Sequence, residues 1–216
     1  MLYFFSGTPG SGKSLHAAKM IDAWYRNGKN IISNFPINMN FWKKKKNGQI
    51  LYLDPDELTV DYLIQFADEN HQRDKKGNII EKQTLLIIDE CQTMFNSRSW
   101  NSRGRDVWVI FFTQHRKYGY EVVLISQDKC FVDKQIRAVF EYNYVHRDIR
   151  NFKIFGRFLS FFTGGHLFLC VQQWMSTGQK DSSYFLFGMK KYYDLYDSYK
   201  IFNYKGLRPL SEEKFD

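Results

Sequence analysis

The chain has 216 residues, a formal net charge of +8 and an apolar fraction of 44%. This length suits one large domain, or one domain with a small appendage, and the apolar fraction excludes global disorder. The charge predicts a basic face that could attract nucleic acid, acidic protein or anionic lipid.

Cysteine usage and hydropathy exclude further classes of protein. The three cysteines show no C-x-x-C spacing, which indicates reduced thiols in a cytoplasmic setting rather than a disulfide framework. No cationic segment precedes an apolar stretch at the start of the chain, so no signal peptide is expected. The apolar stretch at 158–171 is shorter than a membrane span and is interrupted by Gly164 and Gly165.

Short apolar runs alternate with helical patterns over the first two-thirds of the chain, which is typical of βαβ units and a parallel sheet. Glycine-containing turns separate several of these segments. In chain order, the predicted elements are strand 2–6, helix 13–26, strand 30–35, helix 60–70, strand 85–88, helix 106–117, strand 121–126, helix 132–140 and strand 142–146.

The pattern changes from about residue 152, where apolar residues alternate with polar or small ones. Strands are predicted at 166–173 and 184–187, with a loop at 176–183 between them. This alternation favours an antiparallel extension over another βαβ unit.

A glycine-rich turn follows the first predicted strand, and residues 7–14 read G-T-P-G-S-G-K-S, a full match to G-x-x-x-x-G-K-[ST]. Glycines let the backbone N–H groups face phosphate oxygens, and the following helix adds its positive end. Lys13 brings a charge to the β- and γ-phosphates, and the Ser14 hydroxyl is an expected Mg²⁺ ligand. The motif predicts ATP and Mg²⁺ as cofactors, and the expected nucleotide contacts are Gly7, Thr8, Pro9, Gly10, Ser11, Gly12, Lys13, Ser14 and Leu15.

An acidic pair, Asp89 and Glu90, follows the buried strand at 85–88. Asp89 at the carboxyl end of the strand is expected to reach Mg²⁺ through water, which makes it the second metal residue beside Ser14. Glu90 is the expected base that polarises water for attack on the γ-phosphate. A strand between the P-loop and the acidic pair is the arrangement of the additional-strand catalytic-Glu division of P-loop NTPases.

The sequence therefore predicts an α/β fold, a P-loop NTPase with a mostly parallel twisted sheet flanked by helices and a small antiparallel β extension. The expected P-loop NTPase core covers 1–150, and the antiparallel extension of the same domain covers 151–190. Residues 191–216 are expected to form a partly ordered C-terminal tail.

Polar and basic residues near the predicted strand at 121–126 are candidates for further roles in the nucleotide site. Gln127, which follows that strand, is the expected sensor of the γ-phosphate, with a strand-end polar cap as the alternative. Arg116 precedes the strand, at the edge opposite its own phosphate site, so it could act only on a neighbouring subunit. Arg137 is the second candidate for an arginine that contacts the γ-phosphate, and the third group consists of Arg98, Arg103 and Arg105. For every one of these arginines, the alternative is a plain surface charge.

Histidines and aromatic residues carry weaker signals. The aromatic residues of 140–204 either form the core of the sheet or stack on bases of single-stranded DNA. The histidines show no metal-ligand spacing and are interpreted as ordinary residues; they are His16, His71, His115, His146 and His166.

Several segments outside the P-loop resemble one family. The run from Gln114 reads Q-H-R-K-Y-G-Y-E-V-V-L-I-S-Q-D, and it is followed by D-K-Q-I-R, by E-Y-N-Y-V-H-R and, from Leu195, by L-Y-D-S-Y. Together with G-T-P-G-S-G-K-S and I-I-D-E-C-Q, they make nearly the whole chain resemble the zonular occludens toxin (Zot) family, the assembly ATPases (gene I proteins) of filamentous bacteriophages. The P-loop is shared by many families, whereas H-R-x-Y-G and Y-D-S are more particular to this one.

The resemblance implies an NTPase domain at the cytoplasmic face of the bacterial host inner membrane, with the tail at 191–216 leading toward a downstream membrane span. It implies that ATP hydrolysis drives virion extrusion, with Lys13, Ser14, Asp89 and Glu90 as the nucleotide machinery. The implied partners are copies of the chain in a ring, for which a hexamer is expected, phage coat protein and other phage assembly proteins. Contact with single-stranded DNA stays open, and no toxin activity is assigned to these residues.

Other functions are compatible with the same motifs. A small-molecule or nucleotide phosphotransferase could use this P-loop, although the acidic pair and the lack of an evident arginine-rich lid favour hydrolysis. A DNA-translocating ATPase would use the same site residues. A non-catalytic interaction module is disfavoured because Lys13, Ser14, Asp89 and Glu90 are all present.

Overall fold

The computed structural model describes residues 1–44, 48–96, 104–152 and 167–195, and the fold is built from these ranges. Helices and strands alternate along most of the chain. The helices are α1 (Lys13–Arg26), α2 (Val60–Asn70), α3 (Arg105–Gln114), α4 (Lys134–Ala138) and the short α5 (Lys190–Tyr193). The strands are β1 (Leu2–Ser6), β2 (Asn30–Ser33), β3 (Ile50–Tyr52), β4 (Thr84–Ile88), β5 (Tyr120–Ile125), β6 (Tyr142–Asp148), β7 (Leu167–Trp174) and β8 (Lys180–Phe187).

The strands of the described ranges form one eight-stranded sheet in the order β3-β2-β4-β5-β1-β6-β7-β8. Every pairing from β3 to β6 in this order is parallel. The last two pairings, β6 with β7 and β7 with β8, are antiparallel. The predicted mostly parallel sheet with an antiparallel extension is therefore confirmed.

Helices cover both faces of the sheet because the central strands are apolar on both sides. On one face, Ala18 and Ile21 of α1 pack against Ile31, Leu85 and Val123. On the other face, α2, α3 and α4 cover the remaining side chains of the same strands, and fully buried residues there include Leu63, Phe112, Ile136, Leu86 and Leu124. With helices on both faces, the carboxyl ends of the central parallel strands are the usual place for a ligand in a sheet of this kind.

Most of the predicted elements are found, although several, including α3 and α4, are shorter than predicted. The bounds of β1, α1 and α2 agree with the predictions. The edge strand β3 was not predicted, because its three residues lie in a mostly polar region. The predicted loop at 176–183 was partly wrong, because β8 already begins at Lys180. Its first residues are polar and exposed, as an edge strand permits.

The regions beyond the parallel sheet are only partly described. No helix within the described ranges has the length and apolar composition of a membrane span. Of the apolar stretch at 158–171, residues 167–171 belong to β7 and the others lie outside the described ranges. The division at 150 and 190 stays a prediction, and the tail beyond residue 195 lies outside the described ranges.

A buried carboxylate on α1 joins three segments of the chain. Asp22 accepts hydrogen bonds from Arg26 Nε (2.7 Å), Trp42 Nε1 (2.8 Å) and the Tyr192 hydroxyl (3.2 Å). Trp42 lies in the connection between β2 and β3, and Tyr192 lies in α5. The carboxylate thus holds α5 against α1, and α5 forms one wall of the cleft described below.

We expect Asp22→Ala to lower the free energy of unfolding by about 2–3 kcal/mol, because partly buried donors lose a charged acceptor. Urea denaturation measures this change. The matched control is Asp68→Ala, which removes an exposed carboxylate paired with Arg73 at 2.7 Å and should cost less than about 1 kcal/mol. Equal losses in the two variants would contradict the proposed role of Asp22.

Candidate nucleotide-binding site

The P-loop lies between β1 and α1, and its three glycines have positive φ angles. Gly7, Gly10 and Gly12 have φ values of 141°, 74° and 97°, a region that side chains other than glycine rarely adopt. The Gly7 amide donates to the carbonyl of Gln127 at 3.1 Å, which joins the loop to the end of β5. A Cβ at Gly7 would lie 2.4 Å from the carbonyl oxygen of His146, so the loop also packs closely against β6.

The first turn of α1 offers backbone N–H groups without a competing side chain. Gly12 is its N-cap, no side chain caps the helix, and no acidic residue lies in its first turn. An anion at this end therefore meets unpaired amides and the positive end of the helix. The Ser11 hydroxyl is buried and has no hydrogen-bond partner within the described ranges, so a phosphate oxygen would satisfy it.

Lys13 is folded over the loop. Its ammonium group donates to the carbonyls of Gly7 (2.6 Å) and Thr8 (3.1 Å). Burial lowers the pKa of Lys13, and the charges of Asp89 and Glu90 act in the opposite direction by raising it. The lysine therefore faces both carboxylates across the same cleft.

Asp89 follows β4 directly and is held by an asparagine on the neighbouring strand connection. The side-chain amide nitrogen of Asn34 donates to the backbone carbonyl of Asp89 at 2.9 Å, and the backbone N–H of Asp89 donates to the Asn34 Oδ1 at 2.8 Å. Both residues are buried. Because β2 and β4 pair in parallel, this two-way contact fixes where the acidic strand end lies.

Glu90 has a backbone φ of 45°, and within the described ranges only Lys82 shares a positive φ among residues other than glycine. Its amide donates to an Asp89 carboxylate oxygen at 2.8 Å, and its carboxylate accepts a short hydrogen bond from the Gln92 amide. Strained backbone of this kind persists where the surrounding structure holds it, and it clusters at functional sites.

These groups meet in one cleft of about 370 Å³, a size that suits a small-molecule ligand. The cleft brings together predicted site residues from three separate segments of the chain. Its lining consists of Pro9, Gly10, Ser11, Gly12, Lys13, Ser14, Leu15, Asp89, Glu90, Gln127, Phe168, Tyr192 and Tyr193. Gly7 and Thr8, which were also predicted to contact the nucleotide, line a neighbouring hollow instead.

The oxygen groups of the cleft fit the predicted metal ion. The Ser14 hydroxyl and the Asp89 carboxylate both line it, and Mg²⁺ prefers oxygen ligands of this type. Ser14 opens α1 one residue after Lys13, whereas Asp89 comes from the end of β4. The two segments meet in the cleft, so the residues present suit Mg²⁺ without any nitrogen or sulfur ligand.

The candidate arginines do not reach this cleft within the described ranges. Arg116 makes a bidentate contact with Glu81 (2.9 and 3.0 Å) at the start of β5, the edge opposite the P-loop. Arg137 lies in α4, and its Nε atom is buried. Arg105 pairs with Asp133 at 3.1 Å. Arg98 and Arg103 lie outside the described ranges.

Some residues of the site were missed from the sequence. The sequence predicts Asn34 within the strand at 30–35, although a polar residue near the end of an apolar strand is a signal for a site residue. Phe168, Tyr192 and Tyr193 belong to segments interpreted as an extension and a tail. No local pattern could assign them to the cleft, because their position depends on how β7 pairs with β6 and how α5 packs on α1.

Comparisons with known proteins identify relatives of this chain. The family model described as "Zonular occludens toxin (Zot)" matches residues 1–199. The gene 1 protein of Enterobacteria phage f1 is 31% identical over an alignment of 149 residues that covers 67% of this chain and 41% of that protein. The gene 1 protein of Salmonella phage IKe is 28% identical over 173 residues, 77% of this chain and 46% of that protein. The chain thus spans less than half the length of these relatives.

Solved structures share the fold. The N-terminal domain of zonular occludens toxin from Neisseria meningitidis matches with a TM-score of 0.55 and 18% identity, over 91% of this chain and 98% of that one. A second solved structure, an ATPase domain, matches with a TM-score of 0.54 and 11% identity, over 90% of this chain and 84% of that one. These likenesses confirm the predicted P-loop NTPase fold.

The glycines of the loop provide a test of the cleft wall. A Cβ at Gly12 would lie 2.7 Å from the ring of Phe168, whereas one at Gly10 would meet nothing within 4 Å. Both positions have positive φ, so Gly12→Ala and Gly10→Ala both carry backbone strain. We expect Gly12→Ala to cost at least about 1 kcal/mol more in unfolding free energy, since Phe168 must move within a packed cluster. Equal stabilities would show that Phe168 does not close the loop.

Proposed function

This chain belongs to the zonular occludens toxin (Zot) family, and we propose that it is the ATP-hydrolysing motor domain of a filamentous phage assembly protein. The observation that carries the proposal is the meeting of Lys13, Ser14, Asp89, Glu90 and Gln127 in one cleft. The gene 1 proteins of phages f1 and IKe, which resemble this chain over much of its length, support the biological setting.

The loop and the first turn of α1 bind the phosphates of ATP in this proposal. Lys13 exchanges its contacts with the Gly7 and Thr8 carbonyls for the β- and γ-phosphate oxygens, and the Ser11 hydroxyl gains an acceptor. Ser14 would hold Mg²⁺ directly and Asp89 would hold it through water. When bound, the ion supplies positive charge that offsets the charge of the phosphate oxygens.

Hydrolysis is assigned to Glu90. The carboxylate accepts a proton from a water molecule as the water oxygen attacks the γ-phosphorus, and the bond to the bridging oxygen of ADP breaks. The Gln92 amide holds the Glu90 carboxylate, and Asn34 holds the adjoining Asp89 backbone. Gln127 lines the same cleft from the end of β5 and is the proposed sensor of the γ-phosphate.

The base of the nucleotide is assigned to the aromatic wall of the cleft. Phe168 from β7 and Tyr193 from α5 line this wall beside Leu15. Aromatic rings bind a base by stacking, with little dependence on its hydrogen-bonding groups. Tyr192 is held by its contact with Asp22, and the Lys19 ammonium lies 5.9 Å from its ring centroid, so this wall is anchored to α1.

The wider role is part of the same proposal and is supported by membership of the family. We assign the chain to the cytoplasmic face of the host inner membrane, where its ATP hydrolysis drives extrusion of the virion. Its partners are other copies of the chain in a ring, for which we propose a hexamer, phage coat protein and other phage assembly proteins. The relatives are more than twice as long as the matched region, which leaves room in such proteins for a membrane-spanning part.

The assignment of Glu90 predicts that Glu90→Gln retains ATP binding and lowers phosphate release about 100-fold or more, because the base is lost while the phosphate contacts stay. Lys13→Ala should weaken ATP binding itself. Calorimetry with ATP and Mg²⁺ and a phosphate-release assay without an added acceptor measure the two effects.

Glu69→Gln is the control for this pair of variants, since Glu69 is exposed on α2 and lies outside the cleft. Parental turnover by Glu90→Gln would refute Glu90 as the base. ATP binding without phosphate release by the parental chain, together with phosphate transfer to an added acceptor, would favour a phosphotransferase.

The ring proposal predicts a different result for an arginine at the opposite edge. If Arg116 acts on the nucleotide of a neighbouring subunit, Arg116→Ala should retain ATP binding and lose phosphate release. Glu81→Ala is the matched control, because it removes the carboxylate partner and leaves the arginine in place. If both variants hydrolyse ATP like the parental chain, Arg116 has no such role, and Arg137→Ala then tests the second candidate arginine.

Sedimentation with a non-hydrolysable ATP analogue measures ring assembly.

A further inference from the structure

Two histidines and a cysteine meet where α1 packs beside β6 and β7. His16 lies in α1, His146 in β6 and Cys170 in β7. The ligand atoms of these side chains all lie within 4.8 Å of one another, and His16 Nδ1 is 2.9 Å from His146 Nε2. No sequence pattern indicated this cluster, because its members are far apart along the chain. We propose that the three side chains form a binding site for a zinc ion.

The ligand set has the chemistry that zinc prefers. Imidazole nitrogen and thiolate sulfur are its usual protein ligands, and three of them leave a fourth position for water. His146 and Cys170 are buried, with 1% and 0% of their surfaces exposed, whereas His16 is half-buried. Two nitrogens bound tetrahedrally to zinc lie about 3.3 Å apart and a nitrogen and a sulfur about 3.6 Å apart, so binding requires a small separation of the two rings and an approach of the Cys170 sulfur to that distance.

The surrounding groups orient the ligands as outer partners of metal-binding histidines do. The Nδ1 of His146 lies 3.3 Å from the Ser6 carbonyl oxygen, so it donates there and leaves Nε2 for the ion. The Tyr184 hydroxyl lies 3.4 Å from His16 Nε2, and its effect on Cys170 is to lower the pKa of the thiol, against the larger effect of burial. The ring of Phe5 stacks on the ring of His16 at 4.4 Å and 11°, which restricts its rotation.

The protonation states match those that zinc binding needs for the histidines. Burial lowers the pKa of both His16 and His146, so both rings are neutral and have a free lone pair. Burial raises the pKa of the Cys170 thiol to about 11, so the thiolate forms only as the ion displaces its proton. The Tyr184 hydroxyl beside Cys170 is placed to donate to that thiolate.

A bound ion would join the phosphate-binding helix to the antiparallel part of the sheet. His16 lies two residues after Ser14, and Cys170 lies two residues after Phe168 on the cleft wall. Zinc would thus hold α1 and β7 in place relative to each other, while lying outside the nucleotide cleft. This site does not depend on ATP hydrolysis.

The same groups can also satisfy one another without an ion. In that arrangement His16 Nδ1 donates to His146 Nε2, His146 Nδ1 donates to Ser6, and the Tyr184 hydroxyl donates to His16 Nε2. The two descriptions differ in whether the Cys170 sulfur is a thiolate bound to a metal. Cobalt(II) distinguishes them, because it replaces zinc in such sites and its thiolate complexes absorb in the near ultraviolet.

The test is a titration of the chelator-treated chain with Co²⁺ in excess Mg²⁺, which occupies the oxygen ligands of the nucleotide site. We expect one equivalent of Co²⁺ to produce a thiolate-to-cobalt band that Zn²⁺ abolishes. Zn²⁺ alone should raise the melting temperature, because it binds the folded state. The band should persist in Cys130→Ser, whose cysteine is exposed, and be lost in Cys170→Ser.

His16→Gln provides a second variant in case Cys170→Ser does not fold, because glutamine keeps a polar side chain at this position. It should weaken Co²⁺ binding by at least about 10-fold, with an unchanged circular dichroism spectrum. The absence of a one-equivalent thiolate band in the folded parental chain would overturn the proposal, as would its persistence in Cys170→Ser. Either result would leave a hydrogen-bonded cluster, and the proposed ATPase would be unaffected.

Discussion

The candidate site depends on one constraint, the parallel pairing of β4, β5 and β1. Leu124 of β5 pairs with Ile88 on one side and with Phe4 on the other, so the carboxyl ends of all three strands lie next to one another. The acidic pair and the P-loop follow β4 and β1 directly, and Gln127 lies two residues after the end of β5. Because helices cover both faces of the sheet, side chains from distant segments can meet at the carboxyl ends of these strands. The Gly7–Gln127 hydrogen bond fastens two of the three ends together.

The parts of the site that follow a strand end could be predicted from the sequence, because each is local. Lys13 and Ser14 are identified by glycine spacing, and Asp89 by the apolar run before it. The cleft wall could not be predicted in this way. Phe168 contacts the loop because β7 pairs with β6 in one particular register, and that register is a property of the whole sheet. The same reason hid the contact between His16 and His146, which are separated by 130 residues in sequence.

The antiparallel strands serve the site as well as the fold. In the parallel sheet alone, β6 would be an edge strand beside the P-loop. β7 covers that edge and places Phe168 against Gly12, while β8 takes the exposed position with polar residues at its start. The hairpin therefore closes the side of the cleft that the strand ends leave open. Asp22 completes this enclosure by holding Tyr192 of α5 to the helix that carries Lys13.

The charges of the cleft explain why a second subunit fits the proposed function. Within the described ranges, its lining contains one cation, Lys13, and two carboxylates, Asp89 and Glu90. A polyphosphate adds further negative charge, which one divalent ion offsets only in part. Arg105 and Arg116 are held by Asp133 and Glu81, away from the cleft. A cation supplied by a neighbouring copy would complete the balance as charge develops on the γ-phosphate, and hydrolysis would then depend on assembly.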